Sequence, residues 1–231
     1  MPQVLGVLLI VLLVGSAIWI GVVMERKRRE ECLALAQALG FRFHPKDPFG
    51  LGRSLEGDFA TLRQGSNRYA YNVIEGEREG ARVYLFDHHH ETYSTNSKGH
   101  RTTHHHHRSF VSLEQALDLD SFEMRPEGFF DKVAAAFGFD DIDFESAEFS
   151  RRYHVKAPDR KLAYALFSPR MIEYLLSVPP LRLAASGKRL LAGRGSGKMD
   201  RAEYESTLRD LFAFLERVPR YVQKDRGSGE G

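Results

Sequence analysis

The sequence predicts an α+β protein: a single N-terminal transmembrane helix, then antiparallel β-meanders packed with helices. Three observations carry this. Residues 4–24 hold no charged side chain, and 14 of the 21 are Leu, Ile or Val. Residues 68–113 contain three runs of strand-forming composition separated by glycine-bearing turns. Hydrophobic spacing then becomes helical, around residues 127–137 and again at 200–215.

The first element is the anchor. As a helix, 21 residues extend about 31 Å, close to the ~30 Å hydrocarbon core of a bilayer. Its Leu, Ile and Val residues favour insertion by about 4–8 kcal/mol in total. Val4, Leu8, Val11, Ile18, Trp19 and Val23 are among the anchoring side chains. A cleaved signal is the competing reading. It fits less well, because no Lys or Arg precedes the run and the run is longer than a signal's apolar core. Arg26, Lys27, Arg28 and Arg29 follow immediately, and this one-sided positive charge places the C-terminal side in the cytoplasm of a cell with its anchor in the inner membrane.

About 205 residues remain, enough for one good-sized domain or two small lobes. Formal net charge is +2 for the whole chain, and the cluster at 26–29 supplies much of the excess. The body is therefore nearly neutral, which gives no reason to expect a nucleic-acid partner. The one cysteine, Cys32, cannot form an intrachain disulfide and falls on an apolar stripe with Leu35, Ala36 and Leu39. Residues 25–40 thus read as a basic juxtamembrane helix ended by Gly40.

Residues 41–125 read as a β-rich lobe. Phe41 and Phe43 alternate before Pro45 and Pro48 break the pattern, and residues 53–67 read as loop and short helix. Strands are expected over 68–74, 82–93 and 101–113, with Tyr69, Tyr71 and Val73 sharing a side of the first and a short fourth strand at 122–125. Residues 126–222 read as an α+β lobe. A helix is expected over 127–137, and a second meander over 151–156, 181–185 and 188–192. Ser168-Pro169 opens a helix carrying Met171, Ile172 and Leu175. The last helix has a capping-box pair, Asp200 and Glu203, and a stripe of Tyr204, Leu208, Leu211 and Leu215. Residues 223–231 form a polar, glycine-rich tail expected to be disordered. The order strands, helix, strands, helix suggests two similar lobes.

Phe149, Tyr153-x-Val155, Asp159, Ala163, Leu166, Pro169-x-Met171 and Leu175 form a recognisable series. With the N-terminal span and basic stretch, it resembles a family of bacterial single-span membrane-anchored proteins of unknown function. The resemblance covers mainly residues 125–220 and implies an α+β cytoplasmic domain. It transfers no catalytic residue.

The conspicuous chemistry is His88-His89-His90 on one strand and His104-His105-His106-His107 on the next. A turn tip at Ser97-Lys98 would pair His88 with His107 and His90 with His105. It would also set Asp87 opposite Arg108 and Glu91 opposite His104. His88, His90, His105 and His107 would then share one face as a two-by-two cluster suited to Zn²⁺. A one-residue slip would change that set. The alternative is a solvated distal hairpin. Gly193 to Lys198 resembles a phosphate loop but has Ala192 and Met199 where Gly and Ser or Thr belong. Asp140, Asp141 and Asp143 lack EF-hand spacing. His44 and His154 read as structural. No hydrolase motif is present. The expected function is a non-enzymatic protein-binding or scaffold module held at the bilayer, with a protein partner and no cofactor. The alternative is a metal-binding or metal-sensing domain.

Overall fold

The computed structural model describes residues 2–127 and 142–222, with the side chains of residues 2–11 and 116 excepted. The helix expected at 127–137, the carboxylates Asp140 and Asp141 and the tail at 223–231 fall essentially outside these residues.

The chain opens with α1 (Pro2–Leu39), one unbroken helix. The side chains of residues 12–24 are all exposed, Leu12, Ile18, Trp19 and Met24 each by more than 60%. Further on, Cys32, Leu35 and Ala36 are buried, as their spacing predicts. Burial pushes the Cys32 thiol up to about 11, so it sits as an inert apolar group. Gly40 ends the helix at φ 70°. Among the described residues no helix is long and apolar enough to cross a membrane. Val4, Leu8 and Val11 of the apolar run lie outside the residues whose side chains are described.

The body is built on one six-stranded antiparallel sheet: β1 (Arg42–Lys46), β2 (Ser66–Arg78), β3 (Ala81–Thr95), β4 (Arg101–Pro126), β5 (Tyr153–Lys156) and β6 (Arg182–Gly193). The β4 strand is the spine. The expected strands at 101–113 and 122–125 are a single strand, which pairs with β3 and then β5 along one edge and with β6 along the other. The expected second meander does not form as a separate sheet. Its last two strands are one, β6, which follows β4 through a register shift where Leu119 faces Gly187. Gly187 there adopts φ 58°.

Both faces of the sheet are covered, so β3 is buried continuously from Val83 to His90. One face packs against α1, α4 (Arg160–Leu166), α5 (Pro169–Ser177) and α6 (Arg201–Arg217), through Val83, Leu85, Val111 and Leu113. The other packs against α2 (Leu51–Glu56) and the 3₁₀ turn Ala60–Arg63, through Tyr84, Phe86 and Phe110. Between β4 and β5, α3 (Ala147–Arg152) is capped by Ser146. Asp159 caps α4, and the predicted capping box of Asp200 and Glu203 starts α6. Pro169 occupies the first turn of α5, although Ser168 makes no side-chain cap bond.

Within β2 the expected side-sharing of Tyr69, Tyr71 and Val73 fails. A register shift after Tyr71, with Asn72 at φ 49°, leaves Tyr69 and Tyr71 on the α1 face. Val73 moves to the α2 face. The β1–β2 pairing brings Phe41 over Gly76, where a methyl group would stand 2.2 Å from its ring.

Candidate functional site

The hairpin of β3 and β4 closes one residue differently from the expectation. Its loop has five residues, from Asn96 to His100, rather than a tip at Ser97-Lys98. Asn96 Oδ1 accepts from the backbone of Lys98 and His100, and Asn96 N donates to His100 O. The centre is therefore Lys98. His89 faces His107, His90 faces His106 and Glu91 faces His105. Asp87 lies opposite Ser109 rather than Arg108, and His88 takes Arg108.

This slip overturns the predicted set, because side chains alternate across a sheet. His88 and His90 lie on the α2 face, whereas His105 and His107 lie on the α1 face with His89 and Glu91. The four cannot share an ion.

On the α2 face His88 is buried, with its Nε2 lacking a hydrogen-bond partner. Burial holds its pKa down to about 3, with His90, His89 and Arg108 adding repulsion. His90 stacks on His106 at 4.7 Å, and His106 Nε2 lies 2.8 Å from Thr92 Oγ1.

The α1 face holds two connected groups. The inner one centres on Asp87, fully buried. Arg28 reaches it from α1 in a bidentate pair, Nη2 to Oδ1 at 2.7 Å and Nε to Oδ2 at 3.0 Å. Asn72 Nδ2, Ser109 Oγ and Tyr204 OH also donate to this carboxylate. Arg28 Nη1 donates to Met199 O, and Met199 N donates to Ser109 Oγ. Burial alone would raise the Asp87 pKa. The Arg28 guanidinium, Ser109 and Asn72 outweigh it and hold the carboxyl below its usual range. Burial beside Asp87 raises the Tyr204 hydroxyl far above its usual value, so it stays a neutral donor.

The outer group contains His89, Glu91, His105 and His107. Tyr69 stacks on His89 at 4.6 Å, and Tyr71 OH lies 2.7 Å from His107 Nδ1. His89 Nε2 is 3.2 Å from His105 Nδ1, which is 3.5 Å from Glu91 Oε1. His107 keeps its pKa below the usual histidine value through desolvation and the nearby Lys198.

Sequence reasoning placed Arg28 only among the charges that orient the anchor and missed its role as the ligand of a buried acid. A signal was available. Val83, Leu85 and Asp87 occupy alternate positions, so an inward strand face that starts apolar ends on a carboxylate that needs a cation. Arg194 was likewise missed in the glycine-rich loop. It pairs with Asp210 and donates to Thr207 Oγ1 and Pro179 O, which ties that loop to α6.

No family model matches the sequence, and no curated protein matches it. Among solved structures, the chain is similar to the crystal structure of the mycobacterial trehalose monomycolate transport factor A, TtfA. Identity is 13% and the TM-score 0.58, over 83% of this chain and 96% of that one. At this identity the likeness is one of fold.

Proposed function

We propose that this protein is a single-span, inner-membrane-anchored module whose cytoplasmic α+β body binds a protein partner or acts as a scaffold. The observation that carries the reading is the continuity of α1. Its first part presents large apolar side chains to the surroundings on every side from Leu12 to Met24. An exposed apolar surface of that kind needs lipid or protein cover. Its second part is locked into the body by Cys32, Leu35, Ala36 and the Arg28–Asp87 pair. The basic residues at 26–29 support the cytoplasmic orientation. The fold likeness to a protein described as a transport factor for trehalose monomycolate supports an envelope setting. Asp87, Arg28, Ser109 and Tyr204 are engaged with one another and fix the body to α1.

The test is alkaline carbonate extraction of membranes containing the full chain, with a reporter fused after Gly231. Retention in the pellet and reporter activity confined to the cytoplasm are expected, with release when Leu8 and Leu12 are changed to Arg. Wild-type protein in the supernatant, or a periplasmic reporter, would overturn the assignment.

A further inference from the structure

The outer group on the α1 face has features that ordinary surface histidines lack. His89 is buried, and its Nδ1 lies 3.0 Å from the backbone oxygen of Asn67. A carbonyl can only accept, so Nδ1 carries the proton and Nε2 presents its lone pair. That lone pair is directed at His105 Nδ1. Glu91 is oriented as well: Asn67 Nδ2 donates to Oε1 at 2.7 Å and Tyr93 OH to Oε2 at 2.9 Å. These two hydrogen bonds keep the carboxyl ionised below its usual range. Ligand atoms from His89, Glu91 and His105 all lie within 4.8 Å of one another.

From this we infer that His89, Glu91 and His105 form a site for a divalent transition cation of the zinc class. Two ligands bound tetrahedrally at ~2.0–2.1 Å stand about 3.3 Å apart. The separations here, 3.2 Å between His89 and His105 and 3.5 Å between His105 and Glu91, already match that edge. Two imidazoles and a carboxylate are donors that suit zinc. The supporting contacts of Asn67 and Tyr93 supply the outer orientation that metal-binding side chains need. His89 and Glu91 stand two residues apart on one face of β3, with Glu91 directly opposite His105 on β4, so the strand ladder presets their spacing. Three protein ligands leave a fourth position for water, on the exposed His105 side. His107 stands next to the site, its ring 4.9 Å from that of His89, but its Nδ1 is engaged with Tyr71. The inference is independent of the membrane assignment, since it uses only residues of the sheet.

The test uses the untagged full chain in detergent micelles, stripped with a chelator and titrated with Co²⁺, followed by Zn²⁺ competition. One equivalent with the visible bands of tetrahedral Co²⁺, displaced by Zn²⁺, is expected. Loss of an orienting group alone weakens metal sites by about 10–100-fold, so His105→Gln and Glu91→Gln should each weaken Co²⁺ binding by more than about 100-fold. His105 is largely exposed, so its variant keeps the fold, which an unchanged circular dichroism spectrum would verify. His104→Gln, on the opposite face beside Ser94, should bind as wild type. The inference is overturned by absence of stoichiometric binding, by full affinity in His105→Gln, or by loss in His106→Gln in place of His105→Gln.

Discussion

Arg28 and Asp87 bring opposite charges into a place where neither would be tolerated alone. Their bidentate geometry and three further donors satisfy the carboxylate, so the pair tolerates burial. Removing one partner leaves the other stranded. Arg28→Ala should therefore cost about 3–5 kcal/mol of unfolding free energy, measured from the urea midpoint of the body in micelles. Arg28→Met combined with Asp87→Leu should recover most of that loss, because a buried pair is often matched by apolar residues of similar volume. His88 makes a separate prediction. Its folded pKa lies near 3, whereas an unfolded histidine titrates near 6.5. Between those values the unfolded chain takes up a proton that the folded one refuses. Stability is thus level above about pH 6.5 and falls by about 1.4 kcal/mol per unit as pH drops below it. Asp87 adds a loss of the same sign only below the usual carboxylate range. Thermal melts of His88→Leu should show a smaller decrease between about pH 7 and about pH 4.5 than wild type.

At the scale of elements, caps and breakers were the readable part. Asp200 with Glu203, Pro169 and Gly40 each stand where local chemistry puts them, since those signals act over three or four residues. Asp200→Ala should cost about 1 kcal/mol, read as a lower melting temperature. Strand registers were not readable. The hairpin slipped by one because Asn96 organises a five-residue loop, and β2 changed faces because Asn72 takes a positive φ. Each depends on one asparagine, Asn96 through its side-chain oxygen and Asn72 through its backbone, which hydrophobic alternation does not encode. Gly76 shows how close packing fixes a choice that sequence leaves open. The Phe41 ring occupies the space of its missing side chain, so Gly76→Ala should destabilise by about 1–3 kcal/mol through displaced β1.

For the molecule as a whole, the α+β class was legible and the arrangement was not. A second meander was expected because β6 reads as two strands on either side of Gly187, and β4 likewise reads as two, with Glu114, Gln115, Asp118 and Asp120 interrupting its apolar pattern. In space those polar residues of β4 sit where it shifts register against β6, and the strand continues through them to join both halves of the chain. The candidate site shows the same limit. That the histidines matter could be seen from composition. Which of them face one another could be set only by the loop, and the partner of Asp87 lies 59 residues earlier in the chain.

The direction in which α1 crosses the sheet has a consequence for how the protein would rest on a bilayer. Phe41 meets Gly76, which pairs with Val83, while Arg28 meets Asp87, so β3 climbs as α1 is followed back towards its start. From Arg28 to Met24 the helix rises about 6 Å, and from Asp87 to His89 the strand rises about 7 Å. Everything beyond His89 in the ribbon therefore stands at the height of the oily segment. A two-stranded ribbon with open edges has no place among acyl chains. With the segment inserted, the ribbon has to lean out like an outrigger along the headgroups. Lys98 and Arg101 there would meet phosphate, and no acidic residue lies between Glu91 and Glu114. An environment-sensitive dye on Ser97→Cys should shift to the blue in vesicles rich in phosphatidylglycerol and stay unshifted in micelles of a neutral detergent.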